Sequence, residues 1–322
     1  MKLSYSLGSL LSIDDLLSCA QKLSKHDIEA VWVPETWGME DFAMLGAVSQ
    51  RIDSAKIGSS IINIYSRSPV LIAMGAATVD TISNKRLILG LGTSSVPIVQ
   101  DLHGYKFEKP LRRMREYVEI IRLVLSGKKI DYAGEIFSLK GFTLLIKPPR
   151  HDIPIYLAAI NQKMVDLTWD IADGAIFYLR PISEMKKTIQ KMQSRRKIDV
   201  ACQFITCISN DEQKARERAK KTVAFYVSVG EIYRKFLAEN GFKDETVNIY
   251  EEYLKSGFKL NHNLVTDSML DALAICGLPS QAKEQLARIY DAGITHPIIQ
   301  FNPIGNVNES FDLLTSTMSD PN

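Results

Sequence analysis

The chain holds four cysteines in 322 residues, and no two of them stand in a CxxC pair. Cys19, Cys202, Cys207 and Cys276 are scattered, which argues against a dense disulfide framework and against thiolate zinc spacing. Free buried thiols are the expectation. The five histidines, His26, His103, His151, His262 and His296, form no HExxH or His–carboxylate repeat, so no metal site is expected. A GxSxG nucleophile elbow is missing. After the first predicted strand, Gly8-Ser9-Leu10 stands where a dinucleotide fold would carry its glycine fingerprint. Charge of one sign is also missing: 39 Lys+Arg face 37 Asp+Glu, a net +2. That gives no electrostatic case for nucleic acid or an anionic membrane as partner. No window approaches the roughly 20 apolar residues of a membrane helix, and MKLSYSLGSLLSIDD has no apolar h-region. A cytoplasmic protein is expected.

Hydrophobic residues make up 46% and charged residues 24%, a globular profile. The most informative stretch is Lys56 to Ser95: strand Lys56-Ile62, a helix opened by Ser68-Pro69, and strand Arg86-Leu91. Ser at the N-cap and Pro at the first helical position are a strong start signal. The spacing is that of a parallel βαβ unit. Both strands end in small polar residues, Gly58-Ser59-Ser60 and Gly92-Thr93-Ser94-Ser95. Ligands in α/β folds sit at the carboxyl ends of strands, so these ends suggest a ligand floor.

Strand and helix patterns alternate elsewhere too. Further strands are expected at Lys2-Leu7, Ala30-Pro34, Pro154-Ile160, Gly174-Leu179, Asp199-Ile208 and Pro297-Asn302. Helices are expected from Ser12 to about Lys25, over Phe42-Arg51, Leu111-Leu125, Gln162-Ala172 and Ser280-Ala292, with Ser183 capping one and Ser209 with Glu212 boxing another. Eight strands each feeding a helix predict an α/β fold, a (β/α)8 TIM barrel, over an open doubly wound sheet. Two segments break the rhythm: Ile130-Arg150 reads as a β-hairpin insertion, and Lys214 to Cys276 as a long helical excursion between strands 7 and 8. Neither reads as a linker, so a single domain over 1–322 is expected.

The end of strand two, VWVPETWGMEDFAMLGA, resembles the luciferase-like TIM-barrel oxidoreductases. The resemblance continues in GSSIINIYSRSP, in LILGLGTSSVPIVQDLHGYKFEKPLRRMREYVEIIR, in IKPPR and IADG, and resumes at AGITHPIIQF. It is greatest to the coenzyme F420-dependent branch, often named after methylenetetrahydromethanopterin reductase. A second branch contains FMN-dependent monooxygenases. The resemblance implies a hydride-transferring oxidoreductase using F420, with FMN as the alternative cofactor and monooxygenation or non-catalytic flavin binding as alternative functions.

Carried over residue by residue, it implies cofactor contacts at Glu35 and Thr36, at Ser59, Ser60 and Ile61, at Gly92, Thr93 and Ser94, and at Asn161, Gln162 and Lys163. A non-prolyl cis peptide is expected at Ser60-Ile61 as a bulge behind the central ring. Gly92 would let backbone approach the cofactor, and the helix start at Asn161-Gln162-Lys163 would hold a phosphate. Trp37 and Tyr65 are expected to line a pocket for a small-molecule substrate, and His103 is the candidate proton group. Lys109, Arg112, Arg113 and Arg115 form a basic cluster at a helix start. Where the pterin reductases carry acids, after strands one and four, this chain has Ser6 and Ser95, so the pterin itself is not the expected substrate. A homodimer or higher homo-oligomer is expected, with Phe42, Leu45 and Val48 as a candidate contact face.

Overall fold

The computed structural model describes residues 3–8, 10–259 and 261–319. Its elements run β1 (Ser4–Ser6), α1 (Ile13–Leu23), β2 (Ala30–Val33), α2 (Asp41–Ser49), β3 (Lys56–Ser59), β4 (Ile62–Asn63), α3 (Pro69–Ile82), β5 (Leu87–Gly92) and α4 (Pro110–Leu125). Then come β6 (Ile130–Ala133), β7 (Ser138–Phe142), β8 (Ile155–Ala158), α5 (Gln162–Ile171), β9 (Gly174–Tyr178), α6 (Ile182–Gln193), β10 (Asp199–Ile208) and α7 (Glu212–Val229). The chain closes with α8 (Glu231–Glu239), α9 (Lys243–Ser256), α10 (Asp267–Leu273), β11 (Ala274–Gly277), α11 (Pro279–Asp291), β12 (His296–Phe301) and α12 (Val307–Ser319). This is the (β/α)8 barrel order. Lys2 and Asn322 lie outside the described residues.

Local chemistry explains the helix starts. Ser68 Oγ accepts the Leu71 N–H at 3.2 Å, with Pro69 at the first helical position of α3. Ser12 Oγ accepts the Asp15 N–H and donates to the Asp15 carboxylate at 2.7 Å. Two expected caps are corrected. Ser183 lies inside the first turn of α6, because the helix is capped two residues earlier, at Pro181. Asp211, not Ser209, caps α7: its carboxylate accepts the Lys214 N–H at 3.2 Å, while Ser209 Oγ accepts from Asp211. A carboxylate at the positive end of a helix outcompetes a hydroxyl.

The described chain divides into two compact units. In residues 20–176, β2, β3, β5, β8 and β9 pair in parallel, with Trp32 opposite Gly58 and Gly90 opposite Tyr156. Their interior holds Trp32 and Tyr156, ring centroids 6.0 Å apart. The expected hairpin is β6–β7, antiparallel. It is latched by the Glu116 carboxylate of α4, which accepts N–H groups from Glu135, Ile136 and Phe137 at 2.8–3.1 Å. After the hairpin, Arg150 grips Asp80 through Nε and Nη2 at 3.0 and 2.9 Å.

The α2 face expected to meet a second copy is covered from within. Leu45 and Val48 have no accessible surface, and Phe42 packs beside Gly75. That face serves the chain's own core.

In residues 1–19 and 177–322, β1, β12, β10 and β11 pair in parallel. The excursion holds several helices, as expected, but it ends in a strand: β11 pairs with β10, setting Cys207 beside Cys276. Four residues, Ala-Ile-Cys-Gly, are too short to show a period, so only pairing reveals them. The excursion buries Val223, Val227, Leu237, Ile249, Met269 and Leu270 as one cluster. All four cysteines are buried. Among the described residues no helix is long and apolar enough to cross a membrane.

Candidate active site

Every candidate residue from the sequence falls in the 20–176 unit. The centre is the end of β3. The Ser60–Ile61 peptide bond is cis, at the position the family resemblance implied. The bulge is held on both sides: Ser60 N–H donates to Val33 O at 2.8 Å, and beyond it Ile64 N–H donates to Gly92 O at 3.0 Å.

The neighbouring residues have other duties than the sequence suggested. Ser59 Oγ donates to Gly90 O at 2.9 Å and accepts from Gly90 N–H at 2.7 Å. Ser59 is buried and its hydroxyl stitches β3 to β5, so it does not face a cofactor. Gly90 is obligatory there, since a Cβ would lie 1.9 Å from Ser59 O. Gly92 is corrected in the same way: a Cβ would lie 2.5 Å from Cγ1 and Cδ1 of Ile61. The missing side chain makes room for Ile61 rather than for an approaching ligand.

Glu35, just past β2, is clamped by Arg67. Nη1 donates to Oε2 at 2.7 Å and Nη2 to Oε1 at 2.5 Å. The backbone N–H groups of Asn63 and Asp41 donate to the same carboxylate at 3.2 and 3.4 Å. Arg67 also pairs with Glu40. Burial would lower the Arg67 pKa, but Glu35 and Glu40 outweigh it and hold the guanidinium above its ordinary value. Its oxygens join the ends of β2 and β4. Beside this pair Asp41 is fully buried, and neither carboxylate oxygen has a hydrogen-bond partner among the described residues. Burial, then the nearby Glu35 charge, push its pKa well up.

Thr36 is half-buried and Trp37 is 59% exposed. Tyr65 departs from the pocket-lining expectation. It is 5% exposed, donates through its hydroxyl to Glu108 O at 2.9 Å, and stacks on Phe107 with Arg113 over its ring at 4.6 Å. Thr93 and Ser94 are half-buried, and Ser94 adopts φ +57° at the turn. A π-helical turn, Ile98–Leu102, follows, and His103 ends it, exposed. Ser95 is half-buried; Ser6, in the other unit, is buried, its hydroxyl without a partner among the described residues.

The start of α5 is an exposed helix end. Asn161 Oδ1 accepts the Met164 N–H at 3.0 Å, and Gln162 donates to Asp166 at 3.1 Å. Lys163 is exposed beside them. One side-chain cap serves one of the first-turn N–H groups, and the positive end of the helix favours an anion there. Three of the four residues in the basic cluster at the start of α4, by contrast, are paired with acids. Lys109 meets Glu135 at 2.5 Å, Arg112 meets Glu116 at 2.8 Å, Arg115 meets Asp170 at 4.0 Å, and Arg113 lies between Tyr65 and Phe137.

Sequence reading missed Arg67 and Asp41. Arg67 lies 32 residues from Glu35, and nothing local marks the pair.

The profile described as luciferase-like monooxygenase matches residues 3–296. The chain is 31% identical over 288 residues to 5,10-methylenetetrahydromethanopterin reductase of Archaeoglobus fulgidus, covering 85% of each chain. It is 27% identical over 305 residues to a putative coenzyme F420-dependent oxidoreductase of Mycobacterium tuberculosis, covering 84% of this chain and 86% of that one. Among solved structures, the coenzyme F420-dependent tetrahydromethanopterin reductase of Methanopyrus kandleri superposes with a TM-score of 0.84 at 22% identity, over 97% of this chain and 96% of that chain.

Proposed function

The chain belongs to the luciferase-like monooxygenase family, and from that membership we propose that it is an oxidoreductase passing hydride between coenzyme F420 and a small organic substrate. The observation that carries the cofactor is the bulge between β3 and β4, where the four steps from Gly58 to Ile62 face the three from Ile88 to Leu91 and Ile61 is seated on Gly92. The residues around it suit a deazaflavin. Ile61 presents an apolar edge, Thr93 and Ser94 offer half-buried hydroxyls, and the α5 start with Lys163 offers an anion site. A relative at 27% identity named as a putative coenzyme F420-dependent oxidoreductase supports the choice over FMN.

When bound, the deazaflavin supplies a two-electron hydride carrier. The protein's part is position. The bulge backs one ring face, Thr93 and Ser94 orient the polar tail, and Lys163 with the first-turn N–H groups of α5 holds a phosphate. Glu35 and Arg67 do not touch the ring in this reading; their clamp fixes the segment that carries the bulge. His103 is the group that accepts or donates the proton accompanying hydride transfer. The substrate differs from methylenetetrahydromethanopterin, since Ser6 and Ser95 stand where the pterin reductases carry acids.

Titration with F420, and separately FMN, tests the reading, followed by fluorescence of Trp37 against the other tryptophans and by calorimetry. Tight F420 and weak FMN binding is the expected result. Preferential FMN binding, with oxygen consumption on reduction, would move the protein to the monooxygenases. Binding of neither overturns the cofactor reading. An assay with methylenetetrahydromethanopterin and F420 is expected to show no turnover.

A further inference from the structure

Among the described residues three acids have no accessible surface, Asp41, Asp80 and Glu116, and all lie in the 20–176 unit. Two of them are compensated. Asp80 is gripped by Arg150, and Glu116 takes Arg112 and three backbone N–H groups. Asp41 is the exception, since neither of its oxygens has a hydrogen-bond partner among the described residues. A buried carboxylate with no hydrogen bond and no cation of its own is a costly state, and a carboxyl in that position keeps its proton. Asp41 opens α2, yet the helix end does not serve it. The Glu40 carboxylate takes the Ala43 N–H at 2.7 Å, and the Asp41 N–H itself goes to Glu35 at 3.4 Å.

The charges around Asp41 come from three places. Glu35 stands just past β2, Glu40 caps α2, and Arg67 precedes α3. Arg67 is the single cation among them, and it is already engaged. It donates to Glu35 at 2.7 and 2.5 Å, pairs with Glu40, reaches Ser66 Oγ at 3.3 Å and lies 5.7 Å over the Phe42 ring. Phe42 packs in turn beside Gly75 of α3. Three acids therefore share one guanidinium. Burial and the Glu35 charge drive the Asp41 carboxyl well above the ordinary carboxylate range, and the pull of Arg67 does not reverse this. The same Glu35 carboxylate takes the Asn63 N–H at 3.2 Å, in β4, where the chain resumes beyond the β3–β4 bulge. A change of charge at Asp41 thus reaches the bulge through Glu35 and Asn63.

We propose that Asp41 is a positioning residue that works as an uncharged acid. While protonated, it leaves Arg67 to Glu35 and Glu40. Loss of its proton to water in the folded chain sets a third negative charge against that one cation, loosens Glu35 from the Asn63 N–H and unseats the bulge. The effect on cofactor binding rests on the F420 reading above, whereas the coupling of Asp41 to Asn63 does not.

The test uses the full chain without cofactor, isotope-labelled at the aspartate carboxyl carbons and the backbone nitrogens. The Asp41 carboxyl resonance is assigned by its loss in Asp41→Asn. It is followed by NMR together with the Asn63 amide from about pH 5 to about pH 9, above the ordinary aspartate range. We expect the protonated form at neutral pH and ionisation on the alkaline side before the chain melts. The Asn63 amide should move with the same midpoint in the wild type and stay put in Asp41→Asn. F420 is then titrated over the same range. Its dissociation constant should be flat while Asp41 is protonated and rise by up to about tenfold per pH unit above the midpoint; in Asp41→Asn it should stay flat. Asp41→Leu gives the same neutral reading if Asp41→Asn folds poorly. A carboxylate resonance at neutral pH overturns the proposal. So does an Asn63 amide that ignores the titration, a carboxyl that ionises only as the chain melts, or an equal pH dependence of F420 binding in the wild type and the neutral variant. If the two resonances titrate together and F420 binds at no pH, the coupling stands and the cofactor reading fails.

Discussion

The strand ends of the 20–176 unit and the tyrosine corner of the other unit treat their polar groups in opposite ways. At the end of β3, Ser59 is satisfied by Gly90, Glu35 by Arg67 and two backbone N–H groups, and the glycine at 92 is filled by Ile61. At the end of β9, Tyr178 is instead packed edge to face against Tyr226 and Tyr233, and its hydroxyl makes no backbone contact of this kind among the described residues. The difference separates polar groups saturated by hydrogen bonds from polar groups held in place by ring packing. A polar residue at a strand end signals function only after its hydrogen bonds are followed. On that criterion the groups that build the site are Ser59, Gly90, Gly92, Glu35 and Arg67, and what remains for a cofactor is the bulge, Thr93, Ser94 and the start of α5.

The sharpest way to break this comparison is to damage a builder. Gly90→Ala places a methyl group against Ser59 O and should cost about 3 kcal/mol or more of stability, or prevent folding; thermal melting measures it, and a normal melting temperature would contradict the packing. Arg67→Met leaves Glu35 half-buried without its cation. The expected loss is about 3 kcal/mol, with cofactor affinity falling because the bulge loosens. If calorimetry showed lost affinity at full stability, Glu35 would belong to the binding groups after all.

Groups that remain for the cofactor should move binding and leave stability nearly untouched. Lys163→Ala should weaken F420 about fivefold to tenfold, the effect of one charge at a helix end, with a melting shift of a degree or two. A large melting shift would make Lys163 structural.

Two carboxyls give opposite pH signatures. For Glu116, burial raises the pKa, but the Phe137, Glu135 and Ile136 N–H groups and Arg112 outweigh it and hold it below the ordinary value. Its contribution is present above the unfolded-state pKa and disappears as pH falls through the lower folded-state value. Proteolysis of the β6–β7 hairpin should therefore rise in acid, and in Glu116→Gln it should be high at every pH. Asp41 is raised, so its contribution is present below the ordinary range and is lost as pH rises through its folded-state value. Asp41→Asn should flatten the alkaline side of the melting-temperature profile, the smallest effect of the set.

Much was legible along the chain. Helix starts at Ser12, Ser68 and Asn161 are encoded within four residues, because a cap is a local hydrogen bond. The barrel order follows from alternating periods, and the cis bond at Ser60–Ile61 was implied by the family resemblance. The caps at Ser183 and Ser209 were misplaced because several hydroxyls and carboxylates near a helix start compete, and backbone geometry decides among them.

The sequence by itself determined the element order, the cap positions that have no rival, and the candidate floor at the ends of β3, β5 and β8. Only the tertiary structure decided which of those residues are saturated. Arg67 reaches Glu35 across 32 residues, β11 exists only through pairing with β10, and Tyr178, Tyr226, Tyr233 and Gln300 meet from four elements. The reason is physical. Periodicity and capping are properties of neighbours along the chain, whereas the satisfaction of a buried polar group depends on what folding brings beside it.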